Sequence, residues 1–380
     1  DKPLMGRNGW LQSYTFPTEH SMVEDYEQQH PTARDIYQRV VRRTVRCGTT
    51  TAMYFGTLHL EPNKILCKVI SDVGQRGLVG KVCMDCNDVD SEYRHSIEQN
   101  VLDTVKFIEY VRSLPASKEG LLLPVITPRF IPSCSPGLLQ ELGNLAKSYN
   151  CHIQSHISES MDEVNFVTEN NNGITDTRIF DRHGLLTSKS IMAHGNWLNE
   201  DDIKILRDRK SAIAHCPLSN FFFAGKPLRT RRLMEQMVKI GLGTDVAAGY
   251  SPSMMDAARN AVVMSRALTL LYDDTSQDEC SNVCHTNKDA DTLDYRHAYY
   301  LATLGGAEAL GLKDTVGTFQ VGKVFDAVIL SANPLLHNID IFLRDSKEDI
   351  FQKLCNLGDD RNILKVFVKG REIKHSMSND

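Results

Sequence analysis

The sequence has no apolar run that approaches the roughly 18 to 20 residues needed to span a membrane. It also has no stripe of basic residues, and its formal net charge is −5, so nothing in it indicates a nucleic-acid partner. The first residues, DKPLMGRNGW, lack the charged and apolar regions of a secretory signal peptide. These absences predict a soluble, non-secreted protein whose 380 residues can bury a large core.

A disulfide framework is also absent from the cysteine pattern. The ten cysteines are scattered and lie mostly in apolar runs such as ILCKVI and KVCMD, which predicts reduced thiols and a cytoplasmic location. Cys83 and Cys86 have the spacing of a metal or redox pair, but no second pair is nearby in the sequence. Cys280, Cys284 and His285 lie in a polar insertion without a fourth ligand. We therefore predict no metal site at any of these residues.

Short apolar stretches alternate with amphipathic ones over most of the chain. Helical spacing of apolar residues is clear in runs such as LLQELGNLAKSYN, NEDDIKILRDRK and RRLMEQMVKI. Strands are predicted at residues 49–56, 77–85, 121–129, 151–159, 190–195, 211–217 and 239–245. Nearly all-apolar strands separated by helices are typical of a parallel sheet that is covered on both faces.

The polar residues of these strands stand at their C-terminal ends, where a (β/α)8 barrel keeps its active site. A doubly wound sheet is the competing architecture, but it usually carries a Gly-rich phosphate turn, which this sequence lacks. We therefore predict an α/β fold with a TIM-type (β/α)8 barrel over residues 1–310, from which strand one is missing. Residues 311–380 alternate like short strands and predict a small β-rich appendage. Segment 273–292 is predicted to be a surface loop or disordered, and segment 294–312 to be a final helix.

Three side chains that can bind a metal follow predicted strands on the same rim. His156 ends the strand CHIQSHISE, His194 ends SIMAHG and Asp245 ends KIGLGTD. Two imidazoles and a carboxylate, with a position left for water, suit a catalytic zinc ion. The alternative is a set of polar residues that tie loops together at the end of the barrel.

Three further residues on this rim are candidates for binding or proton transfer. Glu159 is placed to move protons beside the metal, although a glutamate at a helix N-terminus gives the same pattern. Arg129 can donate a pair of hydrogen bonds to a substrate carbonyl, or pair with a neighbouring carboxylate. His215 in AHCPLSN is either a substrate-polarising or a structural histidine.

Taken together, SHISE, MAHG, AHCPLSN and GLGTD resemble the zinc-dependent aminohydrolases of the amidohydrolase superfamily. Further strings make the resemblance specific to guanine deaminases. They are YTFPTEH (14–20), GQRGLVGKVCMD (74–85), TPRF (127–130), LATLGG (301–306) and LGDDRNI (357–363).

This resemblance implies a homodimer in which a zinc-activated water converts guanine to xanthine and ammonia. The implied ligands of the one zinc ion are His156, His194 and Asp245. The implied proton-transfer residues are Glu159 and Asp245. The candidate substrate-binding residues are Arg129, Phe130, His156 and His215.

The superfamily members that this sequence resembles carry a His-x-His pair at the end of strand one, followed by a glutamine that contacts the base. This sequence has no such pair in its first 50 residues, where His20 and His30 stand alone. That part of the metal site is therefore expected to be absent from the chain. Two other functions stay open at this point. One is deamination of another purine, a pterin or a triazine-like ring, and the other is an inactive paralogue that acts by binding proteins.

Overall fold

One parallel sheet of seven strands forms the centre of the molecule. The computed structural model describes residues 9, 11–19, 21, 32–87, 90–271, 292–333 and 338–373. The strands are β1 (Thr51–Phe55), β2 (Arg76–Cys83), β3 (Leu122–Pro128), β4 (His152–Ile157), β5 (Ser190–His194), β6 (Ala212–His215) and β7 (Lys239–Leu242). They follow one another in space as they do along the chain, with β1 and β7 at the two edges. The predicted α/β class and all seven predicted strands are confirmed, while a closed eight-stranded barrel stays a prediction.

Helices connect the strands and cover the sheet. Their bounds are α1 (Thr32–Arg46), α2 (Leu60–Val73), α3 (Ile97–Ser113), α4 (Pro115–Lys118), α5 (Pro136–Tyr149), α6 (Met161–Asn170), α7 (Asp176–Arg182), α8 (Glu200–Arg209), α9 (Pro217–Phe222), α10 (Thr230–Glu235), α11 (Met254–Leu271), α12 (Tyr295–Ala302), α13 (Leu304–Ala309) and α14 (Lys347–Leu357). The described residues also include a π-helical segment (Leu11–Thr15) and a 3-10 turn (Ile131–Ser133). Because helices pack against the sheet, every residue of β2 and β5 is buried.

Capping side chains set where the connecting helices begin. The Ser96 hydroxyl accepts from the backbone N–H of Gln99, and the Ser135 hydroxyl accepts from that of Leu138. Asn199 begins α8 with a reciprocal capping box. Each cap satisfies a backbone donor that the first helical turn leaves without a partner. The strand-to-helix turns at the C-terminal rim of the sheet are therefore defined locally by the sequence.

The predicted final helix over 294–312 is wrong in two respects. It is divided at Thr303, because the backbone of the second half packs directly against β7: a Cβ atom on Gly305 would lie 2.9 Å from the carbonyl oxygen of Ile240. It is also not final, since α14 follows it. The predicted helix RRLMEQMVKI is shorter than expected, because α10 ends at Glu235 and the chain enters β7 at Lys239.

A small antiparallel sheet follows the main one in the chain. It consists of β8 (Ala327–Leu330), β9 (Ile363–Val368) and β10 (Arg371–Glu372), in the spatial order β10-β9-β8. The alternating pattern after residue 311 therefore did predict strands. The proposed domain boundary at residue 310 stays a prediction.

Several predictions concern residues outside the described ranges. His20, His30, Cys280, Cys284 and His285 lie there, and so does the segment 273–292 apart from Thr292. Within the described ranges, no cysteine forms a disulfide. No described helix combines the length and the apolar character that a membrane crossing requires.

Candidate active site

The sequence-predicted metal-binding residues meet at the C-terminal rim of the sheet. His156 is the second-to-last residue of β4, and His194 is the last residue of β5. Asp245 follows the end of β7 by three residues. The backbone of His194 has a φ of 75° and that of Asp245 a φ of 50°. Non-glycine residues rarely adopt this left-handed region, and when they do they often belong to functional sites.

These residues line a cavity of about 1370 Å³. Nε2 of His194 lies 3.7 Å from Oε1 of Glu159 and 4.0 Å from Oδ2 of Asp245. The rings of His156 and His194 are stacked, with centroids 5.5 Å apart, and Phe55 packs on His156 at 4.5 Å between centroids. The cavity thus brings two imidazoles and two carboxylates to one place.

Hydrogen bonds on the outer side of both imidazoles fix the position of a ring proton. Nδ1–H of His156 donates to the carbonyl oxygen of Arg129 at 2.7 Å, and Nδ1–H of His194 donates to Oδ1 of Asn220 at 2.8 Å. Each Nε2 is then able to offer a lone pair. That of His194 is buried and has no hydrogen-bond partner among the described residues. Histidines that bind metals are commonly held through their second nitrogen in this way.

Burial and neighbouring charges shift the titration of the cluster. Burial, with His194 nearby, lowers the pKa of His156 to about 4, so this ring is neutral near pH 7. Burial also lowers the pKa of His194, but Glu159, Asp245 and the bond to Asn220 more than offset it and raise that pKa above its ordinary value. Burial raises the pKa of Asp245. Perturbed groups that share a cavity are typical of catalytic sites.

Arg129 follows β3 and serves the site with both its backbone and its side chain. Its carbonyl oxygen holds the ring of His156. Its guanidinium lies 5.0 Å above the ring of Phe16 and 3.5 Å from Oε1 of Glu19. The side chain is buried, and its Nη1 has no hydrogen-bond partner among the described residues. Arg129 and the adjacent Phe130 both line the cavity, so a donor is available there for a ligand.

The turn after β4 orients Glu159. Ser158 has a φ of 45°, and its N–H and hydroxyl both donate to the carboxylate of Asp176, at 2.6 Å and 2.8 Å. Asn196 donates to the carbonyl oxygen of Glu159 at 3.0 Å. Burial raises the pKa of Asp176 to about 6. Glu159 itself is buried and faces the cavity.

His215 is placed behind this cluster rather than in the cavity wall. It is buried at the end of β6, and its Nδ1 accepts from Nδ2 of Asn220 at 3.3 Å. Among the described residues, its neighbours Ala214 and Cys216 line the cavity but His215 does not. Burial and the nearby His194 lower the pKa of His215 to about 3. Its predicted contact with substrate stays a prediction.

Comparison with known proteins adds to this geometry. The sequence pattern of the amidohydrolase family matches residues 10–373. The chain belongs to this family. An alignment of 380 positions with guanine deaminase from Mus musculus has 41% identity and covers 98% of this chain and 78% of that relative. An alignment of 369 positions with guanine deaminase from Escherichia coli has 31% identity and covers 95% of this chain and 76% of that relative.

A solved structure is similar to this amidohydrolase over nearly its whole length. It is the crystal structure of guanine deaminase from C. acetobutylicum with bound guanine in the active site. The two chains superpose with a TM-score of 0.83 at 28% identity, over 98% of this chain and 82% of the other. The chain is therefore a hydrolase of this family, and the resemblance to guanine deaminases inferred from the motifs is confirmed.

For some residues of the site in this amidohydrolase, the sequence alone did not indicate a role. Asn220 lies in AHCPLSN, and Phe16 and Glu19 lie in YTFPTEH, two strings that carried the family resemblance. Their contacts with His194 and Arg129 depend on how distant segments fold together. Asp176 gave no signal beyond a helix-capping pattern, since its partner Ser158 lies 18 residues earlier, in the turn after β4.

Proposed function

We propose that this amidohydrolase deaminates guanine hydrolytically, giving xanthine and ammonia. The observation that carries the proposal is the cavity in which Glu159, His194 and Asp245 converge. Arg129 lines the same cavity, and its Nη1 has no hydrogen-bond partner among the described residues. The similarity to guanine deaminases over nearly the whole chain supports it. A cytoplasmic homodimer, as expected from the cysteine pattern and the resemblance, stays a prediction.

The donor set fits a zinc ion, which we propose as the cofactor. His156, His194 and Asp245 offer two imidazole nitrogens and a carboxylate, the ligand types that catalytic zinc sites use. The buried, unpartnered Nε2 of His194 is a position that a cation would satisfy. Among the described residues, no three or more His, Cys, Asp or Glu side chains are already grouped to hold a metal. The 4.0 Å between His194 and Asp245 would therefore have to shorten on binding. When bound, zinc supplies an activated water at neutral pH.

The residues of the chain then have separate tasks. Arg129 donates to the carbonyl oxygen of the purine and orients the ring, with Phe130 beside it. Asp245 accepts a proton from the attacking water, and Glu159 protonates a ring nitrogen as the water oxygen bonds to C2. Asp245 passes its proton to the exocyclic nitrogen, the bond from C2 to that nitrogen breaks and ammonia leaves, while the proton of the new C2 hydroxyl returns to Glu159. Water is consumed and ammonia released, so the atoms balance.

Zinc analysis and product analysis of the same preparation test this proposal. We expect about one zinc per chain, and xanthine with equimolar ammonia when guanine is supplied. Adenine, a pterin and a triazine serve as matched ring substrates and are expected to react much more slowly. A preparation that binds zinc but prefers another ring would contradict the substrate. One that binds no zinc and releases no ammonia would favour an inactive paralogue.

We expect Glu19→Gln to raise KM for guanine by about threefold to tenfold, a loss of about 0.7–1.4 kcal/mol of substrate binding. Glu19 accepts from the hydroxyl of Tyr93 and faces the Arg129 guanidinium, so it holds that group toward the cavity. Removing its charge loosens Arg129 without changing the proton-transfer groups, and kcat should stay near its original value. Steady-state kinetics measures both constants.

The matched control for this variant is Glu61→Gln. Glu61 forms a half-exposed ion pair with Lys64 at 2.6 Å on α2, and pairs within reach of solvent contribute little to stability. Neither constant should change in the control. A fall in kcat with an unchanged KM for Glu19→Gln would show that Glu19 does not act through substrate binding.

A further inference from the structure

Asn220 connects two histidines at the back of the site. It lies in α9, its side chain is fully buried, and its amide contacts one histidine at each end. Oδ1 is 2.8 Å from Nδ1 of His194, and Nδ2 is 3.3 Å from Nδ1 of His215. His194 is the last residue of β5 and His215 the last residue of β6. The amide therefore bridges the ends of neighbouring strands.

An asparagine side chain has one end that only accepts and one end that only donates. The oxygen beside His194 requires a proton on Nδ1 of that ring. The NH2 group beside His215 requires a lone pair on Nδ1 of that ring, and its proton is then on Nε2. If the amide turned by 180°, both requirements would be reversed. The two ring-proton positions are thus linked through a single bond rotation.

We propose that Asn220 and His215 are positioning residues that act through His194. The Asn220 amide couples the two rings, so that a bare Nε2 on His194 goes with a bare Nδ1 on His215. This inference concerns how the ligand His194 is prepared, and it rests on the zinc site of the proposed function.

The Asn220 amide sets the direction of the coupling against the neighbouring carboxylates. Nε2 of His194 faces the carboxylates of Glu159 and Asp245, which would attract a proton to that nitrogen if the outer side of the ring did not require the proton on Nδ1. A proton on Nε2 would block the lone pair that a metal needs. Because Nδ2 of Asn220 can only donate and lies 3.3 Å from Nδ1 of His215, a lone pair on that nitrogen holds the amide in this orientation.

Zinc affinity, measured by competition with a chromophoric chelator, tests the coupling without reference to turnover. Asn220→Leu removes the acceptor and should weaken zinc binding by about 10–100-fold, as expected when a partner of a metal-binding histidine is lost. His215→Phe lets the amide turn and should weaken it by about tenfold. Asn220→Asp is the matched control: its carboxylate still accepts from Nδ1–H of His194, so affinity should stay within about threefold. Unchanged affinity in both Asn220→Leu and His215→Phe would overturn the proposal.

A second measurement separates coupling from simple packing. In zinc-free protein with 15N-labelled histidine, long-range 1H–15N spectra report which ring nitrogen of His215 carries the proton. We expect Nε2–H in the unaltered chain and Nδ1–H in Asn220→Asp, whose carboxylate can only accept. Packing alone predicts no such change, so Nε2–H in both proteins would contradict the coupling. If the unaltered chain bound no zinc, the proposed function would fail, and these spectra would still decide on the coupling.

Discussion

Glu159→Gln is expected to lower kcat for guanine by about 10²–10⁴-fold, the range for loss of a positioned general acid or base. Glutamine has nearly the same shape, and the backbone that holds residue 159 would be unchanged, since Asn196 donates to its carbonyl oxygen. The amide cannot carry a proton to the ring nitrogen. The variant should therefore bind guanine and fold normally while losing turnover.

Zinc content decides whether this loss reflects proton transfer. Glu159 lies 3.7 Å from Nε2 of His194, so a role in holding the metal is the competing explanation. We expect the variant to retain the zinc of the unaltered chain. A variant that loses its zinc would show that Glu159 holds the metal, and one that keeps kcat within about threefold would rule out general acid–base catalysis by this residue.

Glu169→Gln is the matched control for Glu159→Gln. Glu169 is exposed on α6, the helix that follows the Glu159 turn. The same chemical change made on the outer surface should leave kcat, KM and zinc content unaltered. Similar losses in both variants would indicate a general effect on the fold.

The strands could be predicted because each is a short apolar run that ends in a polar residue. This pattern is local, and so are the caps that begin the helices, which is why the order of elements around the site follows from the sequence. α14 was not predicted, although Ile350, Leu354 and Leu357 recur at helical spacing; only Leu354 of that helix is buried. The break at Thr303 was missed because it depends on close packing of Gly305 against β7.

In the site, too, local features could be predicted from the sequence and long-range contacts could not. His156, His194 and Asp245 stand at strand ends, and parallel strands bring their ends to one rim, so their meeting could be predicted. The contacts that orient the side chains of the site could not be predicted. Glu19 meets Arg129, and Asn220 meets His194, only once segments distant in the sequence have folded together. The contact between Asn220 and His215, five residues apart, depends on the geometry of the turn that begins α9. His215 shows the limit of the pattern: its place at the end of β6 left a substrate-polarising and a structural role open, and the structure places its neighbours Ala214 and Cys216 in the cavity lining.

We expect Arg76→Met to destabilise the protein by about 3–5 kcal/mol, the usual cost of breaking a buried ion pair. Nη2 of Arg76, at the start of β2, lies 3.1 Å from Oδ2 of Asp326 just before β8, and each side chain is only 4% exposed. Asp326 also accepts from the N–H of Lys369 at 2.8 Å. Methionine would fill much of the space but leave a buried carboxylate without its cation. Urea unfolding measures the free-energy difference.

Two further variants separate the cost of a lone charge from the contribution of the pair. In the double variant Arg76→Met/Asp326→Leu both charges are gone, and most of the loss should be recovered, because apolar groups can replace a buried pair at little cost. Arg39→Met breaks an exposed pair with Asp35 and should cost less than about 1 kcal/mol. If the double variant were no more stable than Arg76→Met, the pair itself would supply stability. If the double variant regains most of the free energy of unfolding, the pair adds little stability of its own. Its main effect is then to favour one arrangement of the small sheet on β2 over others, because only that arrangement brings the two charges together.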